Sequence, residues 1–166
     1  MRQIPDAYFR TLKSDPDTQH VSGLQYLLND DRYLDDVVDL RLTLTQRRDV
    51  LIDVAQKIER LHSLGVTVGD LSPTNILFRL GDAPACFFID CDSMFLHGRQ
   101  ALDPVQTPDW QLPPGEPLGT REGDAYKFAL LVTRLFNGEQ EGSDTTFVAR
   151  LDKDLGQLAR RGLHTP

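Results

Sequence analysis

Cysteine, basic runs and long apolar stretches are all scarce in these 166 residues. Each scarcity closes a class of answer. Cys86 and Cys91 are the only thiols, and two cysteines outside a CxxC spacing build neither a disulfide framework nor a metal site of their own, so reduced thiols in a cytoplasmic protein are expected. No apolar run approaches the roughly 18 residues that cross a bilayer. Met1 is followed by RQIPDAYFR and not by a basic and then an apolar segment, so no membrane association is expected of this chain. The 18 Lys and Arg stand against 25 Asp and Glu, a net charge of -7, and form no stripe that could follow a phosphate backbone, which argues against nucleic acid as a partner. His20, His62, His97 and His164 have no partners at ligand spacing, which argues against a histidine-built metal site. Glycine is sparse early: before Gly69 there are only Gly23 and Gly65, so no glycine-rich phosphate loop is written there.

What is present suits one globular domain over 1–166, with 40% hydrophobic residues to fill a core. Residues 1–17, with Pro5, Pro16 and several Asp, read as an irregular or partly extended lead-in, and 18–30 carry Val21, Leu24, Leu27 and Leu28 at helical spacing. The clearest helix is LTLTQRRDVLIDVAQKIERLHSLG: Leu51, Val54, Ala55, Ile58, Leu61 and His62 repeat at three and four, Thr43 and Gln46 can form a capping box, and Gly65 suits a left-handed stop. His62 on that stripe reads as a packed histidine. A short VTV strand follows, then the loop GDLSPTN, then ILFRL and ACFFID around GDAP, a hairpin that opens on Asn75 and closes on Asp90. Breakers crowd 98–123, which reads as a long surface segment of the kind that carries function. Asp124 is expected to cap a helix bearing Phe128, Leu131, Val132, Leu135 and Phe136 and ended by Gly138, and Ser143 to start a last helix with Phe147, Leu151, Leu155 and Leu158 on one side.

GDLSPTN places an acid and an amide five residues apart, and IDCD places another acid at the end of the following hairpin. That ordered set resembles the C-terminal lobe of the protein kinase fold, where HRDxxxxN and DFG hold the same positions, and more particularly bacterial kinase-like proteins with a GDL loop and IDCDS in place of DFG. The resemblance spans about 20–160. It implies an α+β, mainly helical lobe with a small β-hairpin and no N-terminal lobe, in which 1–17 is a hinge-like lead-in, MRQIP the hinge strand itself, and 98–123 an activation-segment-like loop. It implies ATP and magnesium as cofactors, Asp70 as the catalytic residue that orients or deprotonates an acceptor hydroxyl of Ser/Thr type, and Asn75 and Asp90 as the metal- and nucleotide-holding pair. Asp124 would hydrogen-bond back to the catalytic loop. QTPDWQLPPGE resembles the end of an activation segment, where Thr107 and Trp110 face a protein substrate or partner or, for Trp110, anchor the loop.

The departures are specific. Val68 and Gly69 stand where His and Arg would, Ser72 stands where a loop lysine would meet the transferred phosphate, and Cys91 and Asp92 replace Phe and Gly, Asp92 either adding a ligand or repelling the nucleotide. Upstream, Lys13 and Lys57 are the only lysines before the loop and neither sits in a VAIK-like strand. Three functions therefore stand side by side: a phosphotransferase that needs an upstream lobe to be active, a pseudokinase or interaction module, and a dehalogenase-like phosphatase with Asp90 of FFIDCDSM as nucleophile.

Overall fold

A computed structural model describes residues 3–81, 83–100, 102 and 105–164. The chain opens with an antiparallel hairpin, β1 (Phe9–Leu12) and β2 (Asp15–Val21), in the register Phe9↔Val21. This corrects two expectations. Residues 3–5 of MRQIP are not a strand, and Met1 and Arg2 lie outside the described residues. Residues 18–21 belong to a strand and not to a helix, because Ser22 is captured between two sheet-type bonds: its N–H donates to Tyr8 O (2.8 Å) and its carbonyl accepts from Phe78 N–H (2.8 Å). Helical spacing survives only beyond Gly23, as a 3-10 turn at Leu24–Leu28 whose Leu24, Leu27 and Leu28 are fully buried while Val21 is exposed.

A short helix, α1 (Asp31–Tyr33), is capped by the Asp30 carboxylate and widens into a π turn at Leu34–Val38. The long helix α2 (Leu44–Ser63) starts at the expected capping box, with Thr43 Oγ1 accepting from Gln46 N–H and Gln46 Oε1 accepting from Thr43 N–H. Its Val50, Leu51, Val54 and Ile58 are buried, a burial that contributes on the order of 6–12 kcal/mol before conformational entropy is subtracted. Arg47 is buried too, donating to Leu27 O and Leu135 O and pairing with Asp31 (2.8 Å). One guanidinium thus ties the first buried turn, α1 and α2 to a helix nearly ninety positions later.

Past Gly65, which turns the chain at φ 74°, β3 (Val66–Thr67) leads into the loop and is followed by the hairpin β4 (Ile76–Arg79) and β5 (Ala85–Phe88), paired Ile76↔Phe88 to Arg79↔Ala85. Gly81 and Pro84 are in the turn, with Asp82 outside the described residues. Then β6 (Phe95–Leu96) returns to pair with β3, and β7 (Arg99–Gln100) pairs with β6. All of these pairings are antiparallel. Most of the rest of 98–123 is irregular, with Ala101, Asp103 and Pro104 outside the described residues.

Helix α3 (Arg121–Asn137) begins three residues before the expected cap: Thr120 caps it, accepting from Gly123 N–H (2.9 Å), and Asp124 lies inside the first turn. Gly138 ends it at φ 67°. The expected final helix is two, α4 (Thr146–Leu151) and α5 (Lys153–Leu163), broken at Asp152, whose carboxylate accepts from the N–H groups of Asp154 and Leu155. Their packing faces are also different from those expected. Phe147, Leu151 and Leu158 are exposed, Leu155 packs against the core as expected, and the buried positions are Val148, Gly156 and Ala159. A side chain at Gly156 would lie 2.4 Å from Ala149 Cα, so close approach of small residues, not a leucine stripe, joins α4 to α5. The result is an α+β lobe, mainly helical, with small antiparallel sheets. No described helix is long and apolar enough to cross a membrane.

Candidate active site

The loop of residues 68–75 is held from both ends. Pairing of β3 with β6 places Thr67 opposite Phe95, and Gly69 is pressed against that strand: at φ 73° a Cβ there would meet the Phe95 ring at 2.9 Å and Ser93 O at 3.2 Å. Glycine at this position is therefore a packing requirement. From the other side comes Asp124, which is buried. One carboxylate oxygen accepts from Val68 N–H (2.8 Å) and from His62 Nε2 (2.8 Å), and the other accepts from Gly69 N–H (2.9 Å). The bond from Asp124 back to the loop is the one the resemblance implied. His62 is more than a packed histidine, since it bridges the last turn of α2 to the first turn of α3.

These supports present Asp70. Its Oδ1 accepts from Thr107 N–H (3.0 Å) and faces Lys127 Nζ at 3.5 Å, and its Oδ2 accepts from Thr107 Oγ1 (2.8 Å) and Asn75 Nδ2 (3.0 Å). Asn75 Nδ2 also donates to the Asp70 carbonyl (3.1 Å), so the amide bridges the loop over the five-residue spacing that the sequence displays. A hydroxyl chain continues outward, from Thr107 Oγ1 to Ser72 Oγ (3.1 Å) and on to Thr74 Oγ1 (2.9 Å).

Asp90 is reached through the hairpin. With Ile76 opposite Phe88 and Ile89 N–H donating to Asn75 O (3.0 Å), Asp90 is one residue beyond the pair that contains Asn75. It adopts φ 54°, ψ 45°, a left-handed conformation costly for a side chain with a Cβ. Its residue is exposed. Its carboxylate takes no hydrogen bond or ion pair among the described residues, while Asn75 spends its amide N–H groups on Asp70 and so keeps its Oδ1 for another partner. Among the described residues no three His, Cys, Asp or Glu cluster closely enough to hold a metal. An amide oxygen and one free carboxylate fit a hard cation only where further oxygens arrive with a ligand, as phosphates do for magnesium.

The long segment is pinned above this loop. Trp110 is buried, with the Arg134 guanidinium stacked 4.5 Å from its ring centroid and donating to Asp109 O (2.9 Å). Of the two readings of Trp110, the anchor is the one observed. Thr107 points at Asp70 and not outward.

Two groups escaped the sequence reading. Lys127 is fully buried, donating to Gly69 O (2.8 Å) and facing Asp70, and burial lowers its pKa against the opposing pull of Asp70. Its signal was a lysine at the head of the apolar run FALLV, three residues after Asp124 and hence on the same helix face. The second is His62. The thiols take no part: burial pushes Cys86 up to about 12, and Cys91 is raised by burial and then by Asp92 and Asp90.

The class follows from these features: an α+β lobe in which a buried acid in the first turn of a helix anchors a glycine-led loop, the loop presents an aspartate bridged to an asparagine, and the next hairpin ends on a second aspartate, is a kinase-like lobe. Residues 26–100, which contain Asp70, Asn75 and Asp90, match the sequence model of the lipopolysaccharide kinase (Kdo/WaaP) family. No curated protein sequence matches the chain. The phosphatase reading of Asp90 finds no support in the family match. Asp90 follows the second strand of the antiparallel β4–β5 pair.

Proposed function

We propose that this lobe serves ATP-dependent phosphoryl transfer to an acceptor hydroxyl. Asp70 orients the hydroxyl and accepts its proton, and Asn75 and Asp90 hold magnesium, which when bound neutralises charge on the nucleotide phosphates. The observation that carries the reading is the Asp70 carboxylate, bridged to Asn75 and already 2.8 Å from an aliphatic hydroxyl, that of Thr107. That contact supports a hydroxyl as the acceptor group. The matched family is described by lipopolysaccharide, which favours a sugar hydroxyl, and the loop order favours one of Ser/Thr type. Both are offered as acceptors in the test.

The test uses the full chain with labelled ATP and magnesium. Asp70→Asn is expected to reduce transfer by about 10²–10⁴-fold while nucleotide binding persists, and Asp90→Ala to remove the magnesium dependence of nucleotide binding. Equal transfer by the parent and Asp70→Asn refutes the role of Asp70. A second reading, a nucleotide- or partner-binding module without transfer, is favoured by one feature: both Asp70 oxygens are already engaged, by Thr107, Asn75 and Lys127. Nucleotide binding without transfer to either acceptor would select it.

A further inference from the structure

We infer that Lys127 is a positioning residue for Asp70, supplying from helix α3 the positive charge that the loop itself lacks. The inference rests on the phosphotransferase reading for its purpose and on geometry for its substance. Ser72 occupies the loop position where a lysine would be expected, so GDLSPTN carries no cation of its own. Among the described residues, Lys127 is the one basic side chain in an ion pair with Asp70. Its ammonium is entirely shielded from solvent and reaches two points of one loop: the Gly69 carbonyl at 2.8 Å and the Asp70 carboxylate at 3.5 Å.

A structural role alone does not account for this choice. The neighbours of Lys127 on α3, Ala129 to Val132, are apolar and buried. A fully buried ammonium has a desolvation cost that an aliphatic residue of similar length does not have, and replacing buried charges by apolar groups is often neutral or stabilising. What methionine cannot do is hold Asp70 Oδ1 by a charge while Asn75 and Thr107 hold Oδ2. Asp70 is thereby fixed from three elements: its own loop through Asn75, the long segment through Thr107, and α3 through Lys127. The acidic groups facing Lys127 are Asp70 and, one turn earlier on the same helix, Asp124, whose oxygens are committed to Val68, Gly69 and His62.

The experiment is a side-chain amine NMR titration of Lys127 in the full-length protein, for the parent and Asp70→Asn, with transfer from labelled ATP followed in parallel for the parent, Lys127→Met and Lys127→Arg. Asp70 opposes the lowering of the Lys127 pKa by burial, so Asp70→Asn is expected to lower the Lys127 midpoint by about one pH unit or more. Lys127→Met is expected to lower kcat by about tenfold or more with KM for ATP little changed, and Lys127→Arg to restore part of it. An unmoved Lys127 midpoint in Asp70→Asn, or full kcat in folded Lys127→Met, overturns the inference. A normal shift with no transfer by the parent overturns the phosphotransferase reading and leaves the coupling of Lys127 to Asp70 standing.

Discussion

Replacing Asp124 by alanine isolates the element on which the loop geometry depends. Its carboxylate is the acceptor for Val68 N–H and Gly69 N–H, at 2.8 and 2.9 Å, and for His62 at 2.8 Å. Val68 is 3% exposed and Asp124 itself 1%, so water does not readily replace the lost acceptor at the backbone groups. Each buried donor left unsatisfied costs about 1–3 kcal/mol. His62, the more exposed partner, rehydrates and adds little, so the expected loss is about 3–5 kcal/mol, the usual range for removing one member of a buried charged pair. At about 2–4 °C per kcal/mol for a chain of this size, the melting temperature should fall by roughly 6–20 °C. Asp124→Asn keeps one acceptor oxygen and should cost about half as much. The assay is guanidinium and thermal denaturation followed by circular dichroism. A loss below about 1 kcal/mol for Asp124→Ala with an unchanged m-value would refute the claim that this carboxylate holds the loop.

Three other outcomes are expected. Gly69→Ala forces a Cβ to 2.9 Å from the Phe95 ring at φ 73°; a destabilisation of about 1–3 kcal/mol should appear in chemical denaturation, and a neutral effect would contradict the packing of the loop on β6. Trp110→Ala removes the ring under Arg134 and should cost about 3–5 kcal/mol while opening the 98–123 segment to limited proteolysis, seen as new cleavage sites there. Cys86 carries a pH signature: its folded pKa is raised from 9.0 to about 12, so the folded state holds the proton that unfolded chains release. The stability it contributes is complete below pH 9 and is lost as pH rises towards 12, at up to about 1.4 kcal/mol per pH unit. Cys86→Ala should flatten that decline in urea titrations at pH 8 to 11, and an identical slope in both proteins would refute the assignment.

What could be read from the chain divides by the range of the interaction. The capping box at Thr43, the left-handed stops at Gly65 and Gly138 and the β4–β5 hairpin are local, set by residues a few positions apart, and each is where the spacing placed it. The errors arise where a distant partner decides. Residues 18–21 joined a strand because Ser22 is bonded to Tyr8 and Phe78, and α3 is capped by Thr120 and not by Asp124 because the Asp124 carboxylate is bonded to Val68 and Gly69. The α4–α5 pair leaves Leu151 and Leu158 exposed, while Leu155 packs against the core, because Gly156 allows Ala149 to approach closely, a contact that hydrophobic periodicity does not register. The site divides in the same way. The bridge from Asp70 to Asn75 lies within one loop and is written in GDLSPTN. The bonds to Thr107 and Lys127 cross 37 and 57 positions and needed the fold.

That division bears on the replaced motif residues. Glycine in place of arginine beside Asp70 leaves room for Phe95, and serine in place of lysine leaves a hydroxyl within hydrogen-bond distance of Thr107 Oγ1. Each substitution removes a long cation from the loop and leaves space that another element fills. The cation facing Asp70 is Lys127, on a helix anchored to the same loop through Asp124. An ammonium fixed on a buried helix has little freedom to follow a migrating phosphoryl group, whereas one on a solvent-facing loop has more. Its effect must therefore fall on the placement of the carboxylate, and the rate of transfer, more than the affinity for nucleotide, should change when that helix position is altered.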